Sequence, residues 1–332
     1  MAKARYVSEL AQGCKVEGVY VLRGKELRIA RTGDAYLSLT LADRTGSIPA
    51  VHFRPSRAAV EIPASAVVFV RGTTTSFKGT RRVTVEAISP AEAWDPADLV
   101  AVGPRPLEEL NCEFTSLVRL VSDTRLRQLL RNIFGDKTFF AQFSRCPATQ
   151  NEHHDYVGGL IEHTVSVSSL CLELSGHYDA LDRELLLTSS LVHDIGVVDS
   201  LRYDTGITDT DDGRLIGHAA LGAFRVRDAA RHTRLDGGLS VRLEHAVMSH
   251  HADSTGEGDR PITLEALVLQ HADRIDAQVT GFSAVLSGAV RAEEGWTDDK
   301  NRFRRALCTT LPIRTNIQSD DARGARPVQR PA

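Results

Sequence analysis

The chain reads as a two-domain protein, a small closed β-barrel followed by an all-α domain. Three observations carry that reading. Apolar and polar residues alternate at period two in several short runs of the first ninety residues. From residue 107 onward the apolar positions recur at helical spacing instead. Between the two lies a stretch holding Pro90, Pro96, Pro104 and Pro106. The 332 residues suit two domains, and 42% hydrophobic with 25% charged residues fits a folded chain with a sizeable core. The expected bounds are 1–92 for the barrel, 93–106 for a linker, 107–313 for the helical domain and 314–332 for a loose polar tail.

Within the barrel, residues 16–22 are rich in valine and broken by Gly18. Residues 35–42 put Leu37, Leu39 and Leu41 on one face and Tyr36, Ser38 and Thr40 on the other. Asp43-Arg44-Thr45-Gly46 marks a turn. Residues 48–53 follow as a strand, with Pro49 at an edge or bulge. Residues 66–70 and 81–88 supply two more strands, separated by a loop rich in Thr, Gly and Lys. Five short strands favour closure, which removes exposed edges. Phe53 and Phe69 are expected in the core, and Phe77 with Lys78, Arg81 and Arg82 at the surface of the loop.

Helices are expected over 107–121 and 125–134, the second stopped by Gly135. Phe139, Phe140 and Phe143 are close enough to share a core, and Cys146-Pro147 ends that segment. Residues 160–174, 184–192 and 264–279 continue the helical pattern, and no strand-rich section follows residue 100.

Charge is uneven. Residues 1–90 hold 14 basic and 7 acidic side chains, a balance of +7; the rest hold 26 and 36, a balance of -10. A basic front suggests a polyanionic partner. An acidic remainder suits either metal ions or a solvated helical surface. No run approaches the roughly 20 apolar residues of a membrane helix, and no secretory signal is evident. The five cysteines, Cys14, Cys112, Cys146, Cys171 and Cys308, are scattered and form no CxxC. They indicate neither a disulfide framework nor a cysteine zinc site, so a cytoplasmic location is the expectation.

Of the 12 histidines, 11 fall between residues 153 and 271. The chemically suggestive set is His163, His193-Asp194, His218, His250-His251 and Asp273. Imidazoles with carboxylates and no nearby cysteine suit divalent ions such as manganese, iron or magnesium better than structural zinc. His177, His232, His245 and His271 are read as helix-capping or carbonyl-bonded rings.

The run YLSLTLADRTGSIPAVHF, residues 36–53, resembles the OB-fold nucleic-acid-binding domain. The order GGLIEHT (158–164), LVHDIG (191–196), GRLIGH (213–218), MSHH (248–251) and LQHADRIDA (269–277) resembles the HD-domain metal-dependent phosphohydrolases. With the barrel in front, His153-His154 before Gly158-Gly159, and Pro261, Thr263, Glu265 and Ala266 behind, the whole is similar to the YhaM family of 3′-to-5′ exoribonucleases.

That resemblance implies His163, His193, Asp194 and Asp273 as basic metal ligands, with Asp194 bridging two ions and His218 and His250 completing the second. Manganese is the first expectation, with magnesium, iron, cobalt or nickel as alternatives. Asp194, His154 and His251 are the expected catalytic residues, His154 as proton donor to the leaving oxygen. His251 is left between ligand and phosphate contact. His153 is expected near the leaving phosphate, and Asp276, one helical turn beyond Asp273, behind a ligand. The implied activity is divalent-metal-dependent removal of nucleoside 5′-monophosphates from the 3′ end of single-stranded RNA, with single-stranded DNA as a further substrate. Tyr36, Phe77, Lys78, Arg81 and Arg82 would hold the strand; a homo-oligomer is left open. Two alternatives stand beside it: a phosphohydrolase of small or cyclic nucleotides with the barrel as an interaction module, and a weakly active or non-catalytic nucleic-acid-binding protein. One departure matters. The family continues His-Asp-Ile-Gly with lysine, whereas Val197 follows Gly196 here. Arg202 or Arg214 is the expected substitute cation.

Overall fold

The computed structural model describes residues 5–29, 33–77, 80–150, 152–251, 260–288 and 295–309. Residues 1–278 form one compact unit and residues 279–332 a second. The expected tail, 314–332, lies outside the described residues.

Strands β1 (Lys15–Ile29), β2 (Ala35–Asp43), β3 (Gly46–Phe53), β4 (Val67–Phe77) and β5 (Thr80–Pro90) close in the order β1-β2-β3-β5-β4. Closure is possible because β1 serves two neighbours. Residues 15–21 pair with β4 and residues 21–29 with β2, and a bulge between Leu22 and Gly24 bends the strand from one to the other. The expected strand 16–22 is the first half of this element. A two-residue parallel contact, Ala50 with Val83 and Val51 with Thr84, seals the other side. With helix α1 (Arg57–Glu61) between β3 and β4, this is an OB-fold barrel. Tyr20, Leu22, Leu37, Leu39, Leu41, Ile48, Val68, Val70, Val83 and Val85 fill it.

Two expectations are corrected here. The loop between residues 70 and 81 is strand almost throughout. Thr73, Thr74 and Thr75 are β-branched and pair with Thr84, Val83 and Arg82. Thr74 is buried, and the hydroxyls of Thr75 and Thr84 share a 2.9 Å hydrogen bond. Phe53 is not core: it is 50% exposed. It is the last residue of β3, beyond buried Ala50 and Val51, and sits beside Tyr36.

The proline-rich segment is packed rather than loose. It forms α2 (Pro96–Leu99), buries Leu99 and Val100, and bridges Val102 to Val157. Then come α3 (Leu107–Leu120), α4 (Thr124–Phe134) and α5 (Lys137–Arg145). Gly135 ends α4 as expected. Phe114 packs edge-on against Phe134 at 4.8 Å, with Phe143 at 5.2 Å. Next are α6 (Gly159–His177), α7 (Arg183–Val192) and α8 (Val197–Ser200). A small hairpin follows, β6 (Leu201–Arg202) with β7 (Thr208–Asp209). The chain continues through α9 (Asp211–Leu215), α10 (His218–Thr233), α11 (Gly237–Ser249) and α12 (Leu264–Gly288). Asp123, Asp136, Asp182 and Asp236 each cap a helix by accepting backbone N–H bonds.

One apolar core, including Leu129, Leu160, Leu191, Val226 and Leu243, joins α4, α6, α7, α10 and α11. A second, including Val167, Cys171, Leu186, Ala246, Leu269 and Ala272, fastens α12 to α6, α7 and α11. Together they clamp every helix that carries a residue of the histidine and aspartate set. In the second unit, Phe282 packs on Phe303 at 4.2 Å and Trp296 bridges to Cys308. Among the described residues no helix is long and apolar enough to cross a membrane.

Candidate metal centre

Helix α6 delivers the first imidazole. Gly158 opens it with φ +90°, and a Cβ on Gly159 would sit 1.9 Å from the His154 carbonyl oxygen. The loop before the helix therefore lies flat on its first turn, and His163 follows, fully buried. At the end of α7 the chain turns through His193 and Asp194. Gly196 closes that turn against the start of α10: a Cβ there would meet the His218 carbonyl oxygen at 2.1 Å and the Gly222 nitrogen at 2.4 Å. Bare main-chain contact thus brings His218 beside Asp194. His250 ends α11, and α12 presents Asp273 with Asp276 one turn on.

Asp194 stands between two groups of imidazoles. Its Oδ2 is 3.5 Å from Nε2 of both His163 and His193. Its Oδ1 is 3.1 Å from His250 Nε2 and 3.6 Å from His218 Nε2. Asp273 offers Oδ1 at 3.1 Å from His163 Nε2 and Oδ2 at 3.5 Å from His251 Nδ1. Two sets of ligand atoms, each lying within 4.8 Å of one another, share Asp194: His163 with His193, and His218 with His250 and His251.

The backs of the rings are tied. His193 Nδ1 donates to the Ser190 carbonyl at 2.7 Å and His250 Nδ1 to the Val247 carbonyl at 2.6 Å. A carbonyl only accepts, so each neutral ring keeps its lone pair on Nε2, facing the centre. His163 Nδ1 donates to Asp276 Oδ2 at 2.7 Å. His163 and His193 bring their Nε2 atoms within 3.1 Å, a spacing that needs a proton or a cation between them. Without a cation the proton serves. Burial opposes charge on His163, but Asp273 and Asp276 outweigh it and push its pKa up to about 10. Burial pushes His193 down to about 4. Burial also opposes ionisation of Asp194, yet His193 and His250 hold it well below the usual carboxylate range. His218 Nε2 and His153 Nδ1 are buried without a hydrogen-bond partner, which interiors seldom tolerate. Inward lone pairs, the unsatisfied His218 nitrogen and an all-nitrogen-and-oxygen donor set fit a divalent ion. A carboxylate with one oxygen toward each imidazole group fits a bridge between two of them.

Behind the ligands lies a relay that sequence reasoning saw only in part. Asp276 accepts from His163, from His154 Nε2 at 3.0 Å, and from the Ser166 hydroxyl. His154 Nδ1 meets the Tyr156 hydroxyl at 2.8 Å, and that hydroxyl donates to Glu162 Oε2 at 2.8 Å. Tyr156 and Ser166 carry no periodic or motif signal that links them to the site, whereas Glu162 lies inside the GGLIEHT run. His154, expected as the proton donor, sits behind the ligands within this network. It is buried, has both ring nitrogens engaged, and adopts a left-handed φ of +49° that those bonds hold in place.

The centre opens into a cleft of about 170 Å³. Thr149, Gln150, His153, Val197, Asp209, His218 and His251 are among its walls. Val197 stands buried where the resemblance places a lysine. Neither expected substitute lines the cleft. Arg202 lines a separate hollow with Tyr203, and Arg214 is exposed, 3.9 Å from Asp209. A wider hollow of about 410 Å³, lined by Phe139, Phe224 and the Asp199–Arg225 ion pair, contains none of the clustered ligands.

On the barrel, Tyr36 sits with Phe53, ring centroids 6.0 Å apart. Phe77 is 52% exposed, with the Arg82 guanidinium 4.3 Å from its ring centroid. Arg81 lies next to it on β5. Lys78 lies outside the described residues.

The HD-domain family profile matches residues 160–278. With the clustered ligands, that match makes the helical part the centre of a metal-dependent phosphohydrolase. Similar proteins include the 3′–5′ exoribonuclease YhaM of Bacillus velezensis, 27% identical over 84% of this chain and 89% of that one. That of a Geobacillus species is 28% identical over 82% and 86%. Among solved structures, the second OB-fold domain of replication protein A from Methanococcus maripaludis is 21% identical, with a TM-score of 0.23, covering 27% of this chain and 97% of that one. The barrel assignment rests on its strand order rather than on that score.

Proposed function

We propose that this chain, a YhaM-family protein with an OB-fold barrel ahead of an HD domain, is a divalent-metal-dependent exoribonuclease that shortens single-stranded RNA from its 3′ end. The observation that carries the reading is Asp194, one oxygen toward His163 and His193 and the other toward His218 and His250. Two divalent ions at such a site supply an activated water at neutral pH and charge to offset the anionic transition state. The side chains do the rest. Asp194, His163, His193 and Asp273 hold the first position, and His218, His250 and His251 the second. Asp276 fixes the His163 ring from behind. Attack of water on the last phosphodiester expels the 3′-oxygen of the preceding nucleotide and releases a nucleoside 5′-monophosphate. The proton for that oxygen comes from solvent or from a cleft group outside the ligand set, and His154 does not line that cleft.

The barrel gives a reason for polymer substrates. Tyr36 with Phe53, and Phe77 with Arg82, offer stacking surfaces beside basic side chains, which suits a single strand of RNA or DNA. Manganese is the proposed ion and the cytoplasm the proposed location. The test is the purified protein with manganese and 5′-labelled single-stranded RNA. A ladder shortening from the 3′ end is expected. An intact strand alongside hydrolysis of a mononucleotide or cyclic dinucleotide overturns the reading.

A further inference from the structure

The cleft beside the metal centre is unusual for a phosphodiester site in its charge. Among its described lining residues there is no lysine or arginine. Asp209 lines it instead, at the end of the β6–β7 hairpin. That carboxylate is well placed and poorly neutralised. Its backbone is fixed by pairing with Leu201, and the next residue is pinned twice to α8: Thr210 donates its N–H to the Ser200 carbonyl at 2.9 Å and its hydroxyl to the Asp199 carbonyl at 2.8 Å. Among the described residues its cationic partner is Arg214, at 3.9 Å and itself exposed. In the same cleft His153 is more than nine-tenths buried, and its Nδ1 has no partner within the protein. An unpartnered buried nitrogen and a fixed carboxylate in one cleft are a pair of sites for hydroxyl groups, one able to donate or accept and one able only to accept.

Size narrows what enters. At about 170 Å³ the cleft is below the roughly 300–1,000 Å³ of pockets that enclose a drug-sized ligand, so it admits the end of a strand rather than its length. The metal centre can match the charge of the phosphodiester to be cut. Among the described cleft walls no lysine or arginine matches a further terminal phosphate, and Asp209 repels one. A sugar hydroxyl at the same place can donate to the half-exposed Asp209 carboxylate in place of solvent.

We propose that Asp209, with His153, is a specificity site that accepts strand ends bearing free ribose hydroxyls and rejects ends bearing a 3′-phosphate. This rests on the exonuclease reading above. The test compares two 5′-labelled RNA strands, identical except for a 3′-hydroxyl or a 3′-phosphate end, in manganese. The protein shortens the hydroxyl end at least about tenfold faster. Asp209→Asn narrows that ratio and Asp209→Lys inverts it; taking the ratio within each variant cancels any change in metal loading. A second readout needs no turnover. Adenosine 5′-monophosphate raises the melting temperature more than adenosine 3′,5′-bisphosphate does, and the difference vanishes in Asp209→Asn. Equal rates for the two ends in the unaltered protein, or a ratio unmoved by both substitutions, overturn the assignment. Failure to shorten the hydroxyl-ended strand at all overturns the exonuclease reading instead.

Discussion

The barrel carries Phe53 and Phe77 on its outside, while the helical domain encloses the imidazoles at its centre. Phe53 and Phe77 are half-exposed and each touches one neighbour of note, Tyr36 or Arg82. His163, His193 and His250 are fully enclosed, and each ring is tied on one nitrogen while the other faces the centre. The two regions therefore respond differently to change. A surface that stacks bases is a sum of separable contacts. A centre whose members hold one another in register fails as a unit.

Four substitutions sharpen that contrast. His193→Ala or Asp194→Asn lowers single-turnover RNA cleavage by about 10³-fold or more, as expected when a shared centre loses a member. Strand affinity measured by fluorescence anisotropy stays within about twofold if the barrel holds the strand as proposed. A loss of both together breaks the division of labour. Asp276→Asn touches no proposed ion, yet it removes the carboxylate behind His163. Manganese affinity by calorimetry falls by about 10- to 100-fold. Phe53→Ala weakens strand binding by about tenfold, in line with ~1–3 kcal/mol per stacked base, and leaves manganese affinity unchanged. An equal effect on metal binding would show the two regions to be one.

The smallest effect comes from Asp123→Ala at the start of α4, far from either chemistry. Loss of the cap lowers stability by about 1 kcal/mol in chemical denaturation. The hydrogen bond from Arg125 holds the Asp123 carboxyl down to about 2. The cap's contribution is therefore present above the ordinary carboxylate pKa of ~3.9 and fades as pH falls from there toward 2.

The same contrast governs what the sequence could tell. The residues gathered at the centre were legible because each sits in a short motif whose local geometry is fixed: a helix end for His193 and His250, a one-turn step from Asp273 to Asp276. Tyr156 was not, since its bond to Glu162 spans a loop and a helix start that only the folded chain brings together. Barrel strand lengths were underread because the threonine-rich stretch of β4 looks like a loop in composition while its β-branched side chains favour a strand. Phe53 was misplaced by hydrophobicity alone: it ends β3, where the burial of Ala50 and Val51 has given way to exposure. The expected substitutes for a lysine at position 197 failed for a simpler reason: charge can be counted along a chain, but direction cannot.

Gly196 leaves no side-chain thickness between the turn after α7 and the first turn of α10. The spacing between the two halves of the ligand set is therefore ruled by polypeptide backbone, not by whichever apolar residues happen to fill the surrounding interior. Leucines, valines and alanines nearby can be exchanged over long divergence without prising Asp194 away from His218. Ancestry can erode most of such a protein's letters while its reactive heart keeps the same dimensions.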